Sequence, residues 1–124
     1  MLIPPGGFSV ALGRFFPVEQ LDGVEAVRRY AHHDALLLCW PPPDRPMAHA
    51  CLSAFRGDAL VYIGDRRCTG DDAFRLALAT GWRLVESVEL ASWPGIDDTV
   101  YMYRRRVWDT AGERRQNPHL SLLQ

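Results

Sequence analysis

The sequence predicts a single α/β domain: a three-layer, partial Rossmann-like sheet of parallel strands, finished by an antiparallel pair at the carboxyl end. Two observations carry the parallel part. The runs Ala35-Leu36-Leu37-Leu38-Cys39-Trp40 and Ala59-Leu60-Val61-Tyr62-Ile63 do not alternate apolar with polar, which is the pattern of strands covered on both faces. Between them, Met47, Ala50, Cys51, Ala54 and Phe55 recur at helical spacing and make one apolar stripe. A strand–helix–strand unit of this kind is expected to cross over right-handedly. The third observation is the antiparallel pair. Trp82 to Ser92 and Thr99 to Arg105 are strand-like in composition, and the segment Trp93-Pro94-Gly95-Ile96-Asp97-Asp98 between them is short and has turn chemistry.

The elements follow in order. Phe8, Val10 and Leu12 alternate with Ser9 and Ala11, which predicts a short strand after the loop Pro4-Pro5-Gly6-Gly7. Val18, Leu21, Val24, Val27 and Tyr30 predict a helix over about 17–31 with Pro17 in its first turn. Gly23 weakens that helix by about 1 kcal/mol relative to Ala. His32-His33-Asp34 is expected to be a solvated loop rather than a metal or general-base site. Pro46 suits the first turn of the central helix, and Gly57 suits a left-handed position that ends it. Farther on, Thr69 and Asp72 resemble a capping box with a shortened acid, opening a helix over about 70–80. Its inward residues are Phe74, Ala77 and Leu78, Gly81 closes it, and Asp71 and Asp72 serve the helix start rather than catalysis. On the last strand Val100 and Met102 point one way while Tyr101 and Tyr103 point the other, so cover is expected on both faces. The tail from Val107 to Gln124 has no sustained period and is expected to be partly disordered.

Composition narrows the function. With 124 residues, 48% of them hydrophobic, there is material for one domain with a real core. A net charge of −1, with all 14 basic residues arginine, supplies no global field toward nucleic acid or an anionic membrane. The three cysteines contain no C-x-x-C pair, and His32, His33, His49 and His119 complete no ligand spacing, so neither a disulfide framework nor zinc is expected. Cys39 and Cys51 are expected to fill the core. No secretory signal is apparent and no run approaches the roughly 20 apolar residues of a membrane span, so the expected compartment is the cytoplasm.

The motifs then give a resemblance. Leu36-Leu37-Leu38-Cys39-Trp40-Pro41-Pro42-Pro43-Asp44 resembles the motif after the fourth strand of amino-methylating enzymes, where Asp, Asn or Ser precedes two prolines and an aromatic residue. With LVYIGD, CTGDDAF and SWPGIDD, the stretch from about 34 to 106 is similar to the second half of a Rossmann-like, S-adenosylmethionine-dependent methyltransferase fold. More narrowly, it looks like a poorly characterised methyltransferase-like group. In that family the donor lies on a Gly-rich turn after the first strand, and an acidic residue after the second strand holds the ribose. This sequence has no G-x-G-x-G in a strand–turn–helix setting. Trp40 stands where an acceptor is expected and Pro43 where a flat ring is expected, so both the acceptor and the stacking roles are altered.

The resemblance therefore implies a methyltransferase-like protein lacking independent catalysis, with no cofactor expected for the isolated chain, acting as a homo-oligomer or as a binding module. Ligands of open α/β sheets bind beyond the carboxyl ends of the strands. That gathers Trp40, Pro41, Pro42, Asp44, Gly64 and Asp65, with Trp93 and Pro94, into a rim suited to a ring or a partner's side chain; the bland alternative is that the Trp-Pro loops are rigid caps on strand ends. One rival is a true methyltransferase that binds S-adenosylmethionine in a site completed by an oligomer or partner. The other is a nucleic-acid binder using Arg104, Arg105, Arg106, Arg114 and Arg115 with Trp108 and Tyr103, although Asp109 and Glu113 interrupt that run. The same resemblance places the strand at 35–40 in mid-sheet, so as an open edge it would need the Phe8–Leu12 segment or a second copy beside it.

Overall fold

The computed structural model describes residues 17–107. Its elements are α1 (Gly23–Arg29), β1 (Ala35–Cys39), α2 (Met47–Ala54), β2 (Ala59–Gly64), α3 (Asp72–Gly81), β3 (Trp82–Glu89) and β4 (Thr99–Arg105). The strand predicted at Phe8 to Leu12 and the tail beyond Val107 lie outside the described residues. The strands form one mixed sheet in the order β1-β2-β4-β3. β1 and β2 are parallel, Ala35 opposite Ala59 through Cys39 opposite Ile63, as the two apolar runs predict. β4 is antiparallel to both β2 and β3, so β1, β2 and β3 share one direction and the last strand is inserted between two of them.

α1 and α3 begin where side chains satisfy their free N–H groups, whereas α2 starts at Pro46 without a side-chain cap. α1 is shorter than predicted because Asp22 caps it, its carboxylate accepting from Val24 N at 3.1 Å and Glu25 N at 3.3 Å, so the chain from Pro17 to Leu21 stays outside the helix. Asp71 rather than Thr69 caps α3, with Phe74 N donating to its carboxylate at 2.9 Å. Gly57 is not left-handed: α2 ends as Phe55 turns extended, and what Gly57 supplies is room, since a Cβ there would lie 2.4 Å from the Phe55 ring.

Period-two alternation sorts the sheet into two faces. Leu38, Leu60, Tyr62 and Tyr103 face the helices and, with Trp82, close over Ala48, Cys51, Leu52 and Phe55 of α2 and Phe74 and Leu78 of α3. Val24 and Val27 of α1 pack against the same cluster. Full burial of a side chain such as Phe74 contributes about 1.5–3 kcal/mol. The opposite face carries Leu37, Cys39, Val61, Ile63, Val100 and Met102. There the expectation of cover on both faces fails among the described residues: Leu37 is 58% exposed and Cys39 is exposed as well, so Cys39 is not a core residue, whereas Cys51 is. An apolar run marks a strand as β without saying that both of its faces are covered.

Candidate functional site

The carboxyl ends of β1 and β2 and the β3–β4 loop meet at one end of the sheet. β1 leads into Trp40, whose φ of 50° is left-handed and strained for a bulky residue. Two bonds hold it there: its backbone N–H donates to Ile63 O at 2.8 Å, and its indole Nε1 donates to Asp98 Oδ1 at 2.9 Å. Pro41 behind it is fully buried, and its carbonyl accepts Gly70 N at 2.9 Å, tying the first loop to the start of α3. In the third loop Pro94 and Gly95 (φ 85°) are the central residues of a turn closed by Ile96 N to Trp93 O at 3.0 Å. Positive φ at the third residue is the type II geometry that a Pro-Gly pair favours.

Asp65, just past β2, is the electrostatic centre. Its carboxylate is only 4% exposed; Oδ1 accepts Arg67 N at 2.9 Å and Nε at 3.0 Å, while Oδ2 accepts Arg67 Nη2 at 2.6 Å and Asp97 N at 2.9 Å. The Arg67 guanidinium and these backbone N–H groups hold the carboxyl well below the usual carboxylate range, and the carboxylate in turn raises Arg67. Arg67 also reaches Asp97 at 2.9 Å and Gly95 O at 3.3 Å, so the ion pair clamps the β3–β4 loop onto the end of β2. Below it Gly64 leaves space for Thr69, whose Oγ1 would lie 2.8 Å from a Cβ at that position. Thr69, 1% exposed, donates to Asp65 O at 2.7 Å and bonds the Tyr62 hydroxyl.

The structure thus brings Trp40, Pro41, Gly64, Asp65, Trp93 and Pro94 to one end of the sheet, but with unequal roles. Pro41, Gly64 and Asp65 are buried and serve the architecture. Trp93, at 79%, and Trp40, at 41%, offer apolar surface, with Pro42 partly buried and Pro43 and Asp44 exposed beside them. Arg67, Asp97 and Asp98 complete this end and are not among the residues that sequence reasoning singles out. The available signal is the Asp65-x-Arg67 spacing and the acidic pair closing the Trp93 loop.

The arginine run has its own internal partners. Arg104 pairs with Asp58 at 3.2 Å. Arg105 donates to Gly57 O at 2.9 Å and Phe55 O at 2.7 Å with its guanidinium 4.5 Å from the centre of the Trp82 ring, and Arg106 donates to Trp82 O at 2.9 Å. These bonds staple the end of β4 to the α2–β2 corner and to β3. Trp108, Arg114 and Arg115 lie outside the described residues. His32 and His33 are exposed, as expected, with ring centres 4.3 Å apart. Among the described residues no group of three or more His, Cys, Asp or Glu is placed to hold a metal ion, and no helix is long and apolar enough to cross a membrane.

Compared with protein families, curated proteins and solved structures, the chain matches none.

Proposed function

We propose that the protein is a methyltransferase-like half-sheet without catalysis of its own, working as a homo-oligomeric binding module in which two copies pair along β1. The element order and the insertion of β4 between β2 and β3 agree with that architecture, and the exposed face bearing Leu37 and Cys39 is where a third layer would lie. The observation that carries the reading is the β1 edge. Because Trp40 N donates to Ile63 O, the even-numbered residues of β1 bond to β2, and Ala35, Leu37 and Cys39 turn their N–H and C=O groups outward, where they meet no partner among the described residues. An unpaired apolar edge is a template for another strand. A second β1 laid antiparallel, with a twofold axis at Leu37, satisfies these groups reciprocally and joins the two sheets.

The residues at the carboxyl end do not fit S-adenosylmethionine. Trp40 leads into Pro41, Pro42 and Pro43, which have no N–H to offer a ligand. In the next loop the N–H groups of Arg67, Cys68 and Gly70 are spent on Asp65 Oδ1, Asp65 O and Pro41 O. The Asp65 carboxylate is enclosed by its own ion pair, so no acceptor is left there to polarise an amine.

Sedimentation equilibrium tests the pairing. The expected result is a dimer that becomes a monomer in Leu37→Lys, with the far-ultraviolet spectrum unchanged because the substituted side chain is exposed. A monomeric wild-type protein, as would result if residues 1–16 covered the edge, overturns it. Calorimetry with S-adenosylmethionine tests the other half: one-site binding at micromolar donor would overturn the non-catalytic reading.

A further inference from the structure

A cleft of about 340 Å³ opens on the helix side of the sheet, between α3 and the start of β3. Its lining leaves out the β1 edge and the Trp40 and Trp93 loops, and only Arg66 comes from the loop after β2, so a ligand in this cleft depends neither on pairing along β1 nor on the absence of a methyl donor. Its walls are Tyr62, Phe74, Leu78, Trp82 and Tyr103 from the core, with Leu84 and Ala79 at the exposed margin. The volume is at the small end of the roughly 300–1,000 Å³ typical of ligand sites, and the exposed Leu84 beside a floor of buried aromatic side chains suits a flat ring laid across it.

Two guanidinium groups complete the lining, and they are not equivalent. Arg75 pairs with the exposed Asp72 at 2.8 Å and donates to Thr69 O at 3.4 Å. Arg66 forms no ion pair among the described residues. Its guanidinium carbon lies 3.9 Å from the centre of the Tyr101 ring, and Nη2 donates to the Tyr103 hydroxyl. Burial pushes the Tyr103 phenol up, so at neutral pH it stays protonated and leaves the arginine's charge uncompensated. Stacking and the phenol bond fix the guanidinium plane at the cleft, while Nε and Nη1 have no partner among the described residues. A pre-oriented guanidinium with spare donors suits a carboxylate. One unbalanced positive charge calls for one negative charge.

We propose that this cleft binds a small aromatic monocarboxylate, its ring against Leu84 and Ala79 at the exposed margin, over the outer edges of Leu78 and Trp82, and its carboxylate on Arg66. The probe is naphthalene-2-carboxylate, titrated into the full chain and followed by amide and indole NMR shifts, with naphthalene-2-carboxamide as the uncharged control of equal shape and octanoate as the non-aromatic acid. The naphthoate is expected to saturate one site, shifting the Trp82 indole N–H and the amides of Leu78 and Leu84. The amide and octanoate are each expected to bind roughly tenfold or more weakly. Arg66→Met, which keeps the stem and removes the charge, is expected to lower naphthoate affinity to that of the amide while leaving amide affinity unchanged. Ala79→Phe, at an exposed position on the cleft margin, is expected to abolish binding of both naphthalenes. Equal binding of acid and amide, equal binding of octanoate, an Arg66→Met variant with wild-type affinity, or shifts confined to other surfaces would each overturn the proposal.

Discussion

The backbone N–H of Asp97 donates to the Asp65 carboxylate at 2.9 Å, joining the β3–β4 loop to the end of β2 across 32 positions of sequence. The same carboxylate is held by Arg67, so a single ionised group fixes two loops. Its depressed pKa makes that tie dependent on pH. In the unfolded chain Asp65 titrates near the ordinary value of about 3.9. Its contribution is therefore fully present above roughly pH 5 and is lost as pH falls toward the lower folded-state pKa, because only the unfolded chain takes up the proton readily over that range. Urea unfolding from pH 7 to pH 2 should show wild-type stability falling steeply below pH 5, and Asp65→Asn should be less stable at pH 7 with a shallower acid limb. Parallel curves for the two proteins would show that Asp65 is not the group responsible.

Thr69 supports this corner from below. Its hydroxyl lies in the interior, donating to Asp65 O and bonding the buried Tyr62 hydroxyl. Thr69→Val preserves shape and removes both bonds, leaving Asp65 O with Cys68 N alone and the Tyr62 phenol with only its longer bond to Thr69 O at 3.3 Å. The expected loss is about 1–3 kcal/mol, measured as a lower urea midpoint at unchanged slope. Thr69→Ser keeps the hydroxyl and should lose far less, which separates the hydrogen bonds from the methyl packing.

Much of this fold is legible in the sequence, for identifiable reasons. The runs ending at Trp40 and Ile63 predict a parallel pair, because apolar strands separated by a helix have few other arrangements. The face that α2 buries, however, is Ala48, Cys51, Leu52 and Phe55 rather than the predicted stripe through Met47, Ala50 and Ala54. The pair joined through Pro94-Gly95 is equally readable, since that dipeptide suits one turn geometry. The caps of α1 and α3 are harder to read, because several polar residues compete for each start: Thr69 matches the capping pattern, yet Tyr62 and Asp65 O draw its hydroxyl inward and leave the helix to Asp71. Pairings over long separations, such as Trp40 with Asp98 or Arg105 with Phe55, carry no local signal. That the loops after β1 and β2 share one end follows from strand direction alone. The chemistry of that end does not, because the engagement of Asp65 by Arg67 and Asp97 depends on how the loops close.

The thiols provide a direct test of which apolar positions are core. Cys51 is buried and its thiol is pushed up to about 11, chiefly by desolvation, whereas Cys39 and Cys68 are exposed. At pH 8 the Cys51 thiolate fraction is roughly one part in a thousand. With a chromogenic disulfide reagent at pH 8, two of the three thiols should react promptly and the third only on unfolding. Prompt reaction of all three in the folded protein would place α2 away from the core.

The arginine run gives the final prediction, because structural and nucleic-acid roles for Arg105 separate cleanly. Its side chain stacks on Trp82 and donates to Gly57 O and Phe55 O, carbonyls at the α2–β2 corner. Arg105→Met keeps the stem over the indole but removes both charge-assisted bonds. The expected cost is about 1.5–3 kcal/mol, and each kcal/mol lowers the melting temperature of a domain this size by about 4 °C. If Arg105 served a phosphate surface instead, the melting temperature would hardly move, while binding to a single-stranded oligonucleotide at low salt would weaken and its salt dependence would flatten. A large loss of stability, with no oligonucleotide binding by the wild type at low salt, is the result expected of a guanidinium already occupied within the fold.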